Sequence, residues 1–105
     1  MTTMTFANVD IAVDEEGFFL DPSVWTEEIA TELAAAIGID ELTEDHWTVI
    51  KFAREDFAAH GETPTLRRVS TGSGVPTKAL FELFPKKPAK KMSYIAGLKK
   101  PVGCV

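Results

Sequence analysis

Between residues 5 and 20, apolar positions partly alternate with polar ones, which is typical of short β-strands. The sequence DEEG over residues 14–17 predicts a turn inside this stretch, because glycine and acidic residues favour tight turns. Two or three such strands cannot form a stable sheet alone in water. We therefore predict a small β-meander or hairpin that packs against helices.

After residue 20 the apolar period changes to that of helices. Asp21 and Pro22 supply an N-cap and a first helical residue, and Gly38 marks the end of the first predicted helix. Thr43 and Gly61 delimit a second helix in the same way. The apolar stripes consist of Trp25, Ile29, Leu33 and Ile37 in the first helix and of Trp47, Ile50, Ala53 and Phe57 in the second.

Two shorter helices are predicted next. The Thr-Pro pair at residues 63–64 repeats the cap signature and indicates a helix through about Ser70. The glycine-rich sequence TGSG over residues 71–74 predicts a turn. Pro76 then begins a helix that Pro85 ends.

The composition changes after Phe84. The run PKKPAKK over residues 85–91 predicts a solvated, extended segment, followed by a short helix over residues 92–95 and by no regular structure from Gly97 onward. With 105 residues, 45% of them apolar, the chain can build one modest core. We predict a single α+β domain, a mostly helical array, with a β-meander at 1–20, a helical core at 21–85 and a flexible C-terminal arm at 86–105.

The totals exclude several classes of protein. The N-terminus lacks the basic region and apolar run of a signal peptide, and no apolar stretch approaches the length of a membrane span. The single cysteine cannot form an internal disulfide or a multi-thiolate metal site. We therefore predict a cytoplasmic protein that does not associate with a membrane.

The net charge of −5 hides a strong asymmetry along the chain. Residues 1–62 contain fifteen acidic and two basic residues, whereas residues 63–105 contain one acidic and nine basic residues. One interpretation is charge compensation within the fold. The other is a basic C-terminal surface that binds an acidic partner or a phosphate backbone.

A nucleic-acid-binding module is one functional alternative, because two helices joined by a glycine turn over residues 63–85 resemble a helix-turn-helix. The second of these helices offers a groove only Thr77, Lys78 and Glu82, without the Asn, Gln or Arg side chains that read base edges. An ordinary helical corner is the preferred interpretation, and direct nucleic-acid binding is not expected.

The histidines do not indicate a metal site. His46 and His60 lack the spacing of a ligand pair on one helix face, so we predict structural or surface roles for both. We predict no metal and no cofactor. Arg54 is also interpreted as structural.

Cys104 is the strongest candidate for chemistry. It follows a segment interrupted by Gly97, Pro101 and Gly103, where a thiol is more plausibly presented to a partner than buried in a core. The reactive species is the thiolate, which Lys99 and Lys100 favour and a neighbouring terminal carboxylate disfavours. A thiol on a tether suits the transfer of a persulfide sulfur between partners.

The tail sequence IAGLKKPVGC over residues 95–104 resembles the C-terminal signature of the DsrC/TusE family of sulfur-relay proteins, the dissimilatory sulfite reductase gamma-subunit family. The sequence LFPKKPAK over residues 83–90 and the sequence LTEDHW over residues 42–47 are similar to the family pattern as well. So are Pro64 and Arg67, and the resemblance spans nearly the whole chain.

The resemblance implies a β-meander packed on helices, a mobile C-terminal arm and sulfur acceptance at Cys104. Members that act with dissimilatory sulfite reductase have a second arm cysteine at the position of Ser93, so the resemblance points to the single-cysteine, TusE-like branch. It implies a sulfurtransferase-type carrier rather than a self-sufficient enzyme. Its partners would be a donor complex resembling TusBCD or DsrEFH and an acceptor such as a tRNA 2-thiouridylase or a sulfite reductase.

Three alternatives to a sulfur relay for tRNA thiolation stay open. The Gly-Cys-Val ending is closer to the sulfite-reductase branch, which suggests a regulator or associated subunit in dissimilatory sulfur metabolism. A purely structural subunit and the nucleic-acid-binding module are the others. Lys99 and Lys100 would support the thiolate and docking. Arg67 would contact the arm or a partner, or else form a salt bridge to the acidic N-terminal half.

Overall fold

The computed structural model describes residues 2–101 of the chain. Within these residues two antiparallel strands precede five α-helices, which confirms the predicted α+β class with a mostly helical array. The elements are β1 Thr2–Phe6, β2 Val9–Val13, a 3₁₀ turn Pro22–Val24, α1 Glu27–Ala36, α2 Glu44–His60, α3 Leu66–Ser73, α4 Thr77–Leu83 and α5 Pro88–Ile95. None of the helices between residues 2 and 101 is long and apolar enough to cross a membrane.

A two-residue turn joins β1 to β2. Ala7 and Asn8 both have positive φ values, 50° and 64°, as in the type I′ turns whose twist suits a hairpin. The pairing runs from Thr2 opposite Val13 to Phe6 opposite Val9. The sequence analysis did not locate this turn, because an Ala-Asn pair is a much weaker signal than Asn-Gly.

The predicted turn at residues 14–17 is confirmed. The carboxylate of Asp14 accepts backbone hydrogen bonds from the N–H groups of Glu16, at 2.8 Å, and Phe18, at 3.0 Å. Gly17 has a φ of 92°, a conformation that glycine adopts without strain. The chain then returns beside β2, where Phe19 forms an isolated bridge with Val13. The meander therefore consists of two strands and one bridge.

The first helix begins later than predicted. Asp21 caps only the short 3₁₀ turn, by accepting a hydrogen bond from the backbone N–H of Ser23 at 3.0 Å. The side chain of Thr26 then accepts the N–H of Ile29 at 3.2 Å and starts α1. Trp25 lies between the two, so its predicted place in the helical stripe is wrong. The threonine cap followed by two glutamates determines the start of α1 instead.

The ends of α2 are as predicted, and they show what His46 does. Thr43 and His46 form a capping box in which the N–H of Thr43 donates to Nδ1 at 3.0 Å. The other ring nitrogen, Nε2, lies 2.8 Å from the carbonyl oxygen of Leu83 in α4. Both ring nitrogens are therefore occupied within the fold, which confirms a structural role for His46.

The boundaries of α3 differ from the prediction at both ends. Thr65, not Thr63, caps the helix, and the helix continues through Ser73. The predicted turn at residues 71–74 is therefore wrong, except that Gly74 ends the helix with a φ of 81°. Gly72 stays helical because it packs on the ring of Phe52, where a Cβ atom would lie 2.1 Å from the nearest ring carbon. Close packing, not turn formation, explains this glycine.

The predicted arm at 86–105 differs from the structure in its first half. The helix α5 packs against α1 and α2 and places apolar side chains at a helical spacing in the core. The lysines around these positions made the segment look solvated, although they occupy its outer face. The buried residues of this stretch are Pro88, Ala89, Met92, Ser93, Ile95, Ala96, Gly97, Leu98 and Pro101.

One hydrophobic core lies between the hairpin and the helices. Its largest fully buried side chains come from the meander, from every helix except α3, and from the segment after α5. Representative members are Ile11, Phe19, Leu33, Ile50, Leu80, Met92 and Leu98. The C-terminal part of the chain is thus packed into the body of the protein well beyond residue 86.

Candidate functional site

The segment that leads to Cys104 leaves α5 beside Trp25. The indole Nε1 of Trp25 donates a hydrogen bond of 2.8 Å to the carbonyl oxygen of Ile95, the last residue of α5. The final carbonyls of a helix have no partner within the helix, so this bond satisfies one of them. Trp25 therefore fixes the point at which the chain leaves α5.

Arg54 holds the next carbonyl. Its guanidinium lies over the ring of Trp25, 4.3 Å from the ring centroid, and donates to the carbonyl oxygen of Ala96 at 2.7 Å. A second bond of 3.0 Å reaches the carbonyl oxygen of Pro22 in the 3₁₀ turn. Partial burial lowers the pKa of Arg54, which stays charged because its ordinary pKa is so high. The structural role predicted for Arg54 is confirmed.

Gly97 reverses the chain after α5. Its φ is 66°, and a Cβ atom at this position would lie 2.3 Å from Cδ1 of Trp25. The N–H of Gly97 donates to the carbonyl oxygen of Tyr94 at 3.2 Å, and the N–H of Leu98 donates to that of Ser93 at 3.0 Å. This pair of bonds is a Schellman motif. A glycine is required here both by the positive φ and by the close approach of the indole.

The remaining described residues of the segment are also held by the body of the protein. Leu98 and Pro101 are buried, and the hydroxyl of Thr63 donates to the carbonyl oxygen of Lys99 at 2.7 Å. The ammonium group of Lys100 pairs with Glu16, and this hydrogen bond raises the pKa of the lysine. We name residues 96–101 the anchored segment, because hydrogen bonds, burial or an ion pair hold it along its length.

The predicted site residues occupy different places. Cys104 lies outside the described residues. Lys99 and Lys100 are both on the anchored segment; the side chain of Lys99 is exposed, whereas that of Lys100 is in the ion pair. Arg67 lies on the exposed face of α3, beside a shallow depression that Phe52 also lines.

The sequence allows a salt bridge between Arg67 and the acidic N-terminal half of the chain. In the structure the neighbouring residue, Arg68, forms such a salt bridge instead. Arg68 binds both carboxylate oxygens of the buried Asp56, and this hydrogen bonding lowers the pKa of Asp56. His60, one turn further along α2, lies 3.5 Å from the same carboxylate. Within residues 2–101, Arg67 forms no ion pair.

Sequence reasoning missed the residues that hold the anchored segment. The sequence pattern places Trp25 in the apolar stripe of a helix, Glu16 in a turn and Thr63 at a helix cap. The one usable signal was Trp25, because a half-buried indole N–H needs an acceptor. Nothing in a single sequence indicated that the acceptor is 70 positions away. Within residues 2–101, no three or more His, Asp or Glu side chains come together as metal ligands.

Comparison with known proteins gives consistent results over the whole chain. The family model described as DsrC like protein matches residues 5–105. Sulfurtransferase TusE from Salmonella typhimurium is 35% identical over 109 residues, covering 97% of this chain and 99% of the relative. The gamma subunit of the dissimilatory-type sulfite reductase from Nitratidesulfovibrio vulgaris is 34% identical over 105 residues, covering 100% of both chains.

Solved structures agree with these relatives. A crystal structure of dissimilatory sulfite reductase I (DsrI) includes a chain with a TM-score of 0.86 and 34% identity, covering 99% of this chain and 100% of that one. The NMR structure of DsrC from Allochromatium vinosum has a TM-score of 0.83 and 35% identity, covering 98% and 97%. A family match over residues 5–105, with relatives of this identity along their full length, shows that the chain belongs to the DsrC-like family.

Proposed function

We propose that this protein is a sulfur carrier, in which Cys104 accepts a sulfane sulfur as a persulfide and delivers it to a partner protein. The observation that carries the proposal is the family match over residues 5–105, which includes the only cysteine of the chain. The Salmonella relative is a sulfurtransferase, which is the same class of activity.

The proposed step is a thiol–persulfide exchange. The thiolate of Cys104 attacks the outer sulfur of a donor persulfide, the donor's S–S bond breaks, and the donor cysteine leaves as a thiolate. The outer sulfur with its proton is then bonded to Cys104 as Cys–S–SH. A second exchange with an acceptor thiolate transfers this sulfur and regenerates the Cys104 thiolate. Neither exchange needs an external oxidant or reductant.

The anchored segment suits this role, because it fixes the root of the Cys104 tether on the body of the protein. Trp25 and Arg54 hold the carbonyl oxygens of Ile95 and Ala96, so a partner that recognises the body also meets the root of the tether at a defined place. Defined placement reduces the entropy lost on binding.

The basic site residues take three different parts in this proposal. Lys99 is exposed and supplies positive charge toward the thiolate or a partner. Lys100 acts through Glu16, by holding the anchored segment. Arg67 is an exposed partner contact on α3.

The partners we propose are a sulfur-donor complex that resembles TusBCD or DsrEFH and an acceptor such as a tRNA 2-thiouridylase. A second candidate function is that of a regulator or subunit associated with a dissimilatory sulfite reductase. The full-length match to a gamma subunit and the TM-score of 0.86 to a chain of a dissimilatory sulfite reductase structure favour this candidate. Ser93 removes the second arm cysteine in either case, so both candidates use a single thiol.

Intact-mass measurement tests the carrier function. The wild-type protein and its Cys104→Ser variant are incubated with polysulfide as the sulfane-sulfur donor. We expect the wild type to gain roughly 32 Da, the mass of one sulfur atom, and to lose it again with dithiothreitol. The variant should gain nothing.

The two candidate functions predict different acceptors. Loaded protein that transfers radioactive sulfur to a tRNA 2-thiouridylase supports the first candidate, and stable co-purification with a sulfite reductase supports the second. If neither polysulfide nor a donor complex loads Cys104 while the thiol still reacts with alkylating agents, the carrier proposal is wrong.

A further inference from the structure

A depression of about 330 Å³ lies where α5 passes the end of α1 and the turn at Gly17. Its floor is apolar and consists of Phe18, Ile37 and Tyr94. The rings of Phe18 and Tyr94 meet edge to face, with 6.3 Å between their centroids. The floor is thus a preformed apolar surface about the size of one large side chain. We name this depression the α5 groove.

The rim of the α5 groove is basic. Lys87, Lys90 and Lys91 line it, all from the start of α5 or the residue before that helix. Lys90 is 3.8 Å from Glu16, at one end of the groove. Lys87 and Lys91 form no ion pair with any residue between 2 and 101. Two lysines that have no ion pair in the described part of the chain therefore stand beside an apolar floor, in a protein whose net charge is −5.

From this combination we infer that the α5 groove is the docking site for an acidic peptide segment of a partner protein. An aromatic or branched aliphatic side chain of that segment enters the groove and covers Tyr94 and Ile37, the half-buried members of its floor. Carboxylates on either side of this anchor meet Lys87 and Lys91. Buried apolar area supplies most of the affinity, and complementary charge supplies orientation and specificity.

A phosphate backbone fits the α5 groove less well. The carboxylate of Glu16 is part of its lining, and the net negative charge of the chain repels a polyanion at long range. Phosphates also gain nothing from an apolar floor between the lysines. An acidic peptide fits better, because it is short, has only a few carboxylates and inserts an apolar anchor between the lysines.

Docking in the α5 groove would also act on the anchored segment. Glu16 pairs with Lys90 of α5 and with Lys100 of the anchored segment, so one carboxylate is shared by both. A peptide carboxylate that takes Lys90 leaves Glu16 to Lys100 alone. Occupation of the groove would thus change the ion pairing of Lys100 in the anchored segment, which leads to Cys104. The peptide-binding proposal itself does not depend on the sulfur-carrier function.

The test uses the full-length protein and the peptide acetyl-EEWEE-amide as the probe. In a titration of ¹⁵N-labelled protein to about 1 mM peptide, we expect saturable amide shifts at Phe18, Ile37, Lys91 and Tyr94, with a Kd below about 1 mM. The peptide acetyl-EEAEE-amide should bind on the order of tenfold more weakly, because it lacks the anchor.

Exposed lysines provide the matched variants. Lys87→Glu and Lys91→Glu, each made alone, should weaken binding of acetyl-EEWEE-amide by a factor on the order of three to ten, whereas Lys78→Glu on α4 changes the same charge elsewhere and should leave the affinity unchanged. Persulfide loading of Cys104, measured separately, should be unchanged in all three variants.

Three results would overturn the proposal. The first is that none of these four amides shifts at the highest peptide concentration. The second is that Lys87→Glu and Lys91→Glu weaken peptide binding no more than Lys78→Glu does. The third is that a uridine oligonucleotide binds at the same residues more tightly than the peptide.

Discussion

The indole nitrogen of Trp25 and the carbonyl oxygen of Ile95, 70 positions apart in sequence, are 2.8 Å apart in the structure. The bond joins the residue before the cap of α1 to the last residue of α5, and Arg54 stacks on the same indole. This contact ties the N-terminal third of the chain to the start of the anchored segment. Removal of this contact should therefore lower the free energy of unfolding and loosen the anchored segment.

Trp25→Phe keeps an aromatic ring but removes the hydrogen-bond donor. We expect the free energy of unfolding to fall by about 1–3 kcal/mol, because the carbonyl of Ile95 loses its partner in a part-buried place. Amide hydrogen exchange should also become faster across residues 96–101. Urea denaturation and exchange measured by NMR provide the two readouts.

Trp47→Phe is the matched control for this change, since within residues 2–101 the Trp47 indole forms no side-chain hydrogen bond to another residue. Equal losses of stability in the two variants, with no change in exchange over the anchored segment, would contradict the role given to Trp25.

Gly97→Ala tests the reversal of the chain after α5. The added Cβ atom would lie 2.3 Å from Cδ1 of Trp25, and alanine would have to adopt a φ of 66°. We expect a loss of more than about 2 kcal/mol, the sum of backbone strain and steric displacement of the indole. The measurement is again the free energy of unfolding in urea.

Gly38→Ala separates the two causes. Gly38 has a φ of 87°, but no atom lies within 4 Å of where its Cβ would be. This variant should lose only the backbone term, about 1 kcal/mol. If Gly97→Ala costs no more than Gly38→Ala, the close contact with Trp25 has no energetic weight.

The pair of Arg68 and Asp56 should make stability depend on pH. Hydrogen bonding to Arg68 lowers the pKa of Asp56 below its ordinary value of 3.8, so the folded state binds this proton less tightly than the unfolded state does. The resulting stability is present above the ordinary pKa and is lost as the pH falls through the lowered one. Arg68→Gln should thus lower Tm at pH 7, and the difference from wild type should stay nearly constant down to about pH 5 and shrink as the pH falls below the ordinary pKa of 3.8.

Arg67→Gln removes the same charge from the neighbouring position, which has no ion pair within residues 2–101. Thermal unfolding from pH 7 to pH 3 should show a nearly constant, small difference between this variant and wild type. A gap between Arg68→Gln and wild type that widens on acidification would mean that the sign assigned to Asp56 is wrong.

Ser93→Cys tests the burial of α5. Ser93 is fully buried and donates a hydrogen bond of 2.7 Å to the carbonyl oxygen of Ala89. In a Cys104→Ser background, a thiol at position 93 should react with Ellman's reagent at least about a hundredfold more slowly in native protein than in urea-unfolded protein. Ser23→Cys, at an exposed position, should react at similar rates in both. Fast labelling at position 93 would mean that α5 opens readily.

Local rules predicted much of the fold and little of the site. Thr43, Gly61 and Pro76 delimit helices as expected, because caps and breakers act on their immediate neighbours. The start of α1 was misplaced because two cap signals, Asp21 and Thr26, lie five positions apart, and Asp21 caps only the 3₁₀ turn whereas Thr26 caps the helix.

The prediction of a solvated arm failed because composition alone does not show which face of a helix is buried. Lysine-rich composition over residues 85–91 suggested a solvated segment, yet Ala89 and Met92 on the inner face of α5 are fully packed. The contacts that hold the anchored segment join residues that are 36 positions apart for Thr63 and Lys99 and more than 80 apart for Glu16 and Lys100, and no local pattern encodes them. The family resemblance drawn from the tail motif is confirmed by the family match.

The anchored segment also limits where transfer can take place. Cys104 is three residues beyond Pro101, and three residues span at most about 11 Å whatever conformation they adopt. In the proposed transfer, a partner must therefore bring its reactive sulfur close to the body of the protein, within that distance plus the length of the cysteine side chain, so sulfur exchange requires recognition of the body. Residues inserted between Pro101 and Cys104 would lengthen the reach and reduce the effective concentration of the thiol at a correctly docked partner. In the proposed carrier, this short link makes the sulfur atom available mainly to proteins that bind the carrier first.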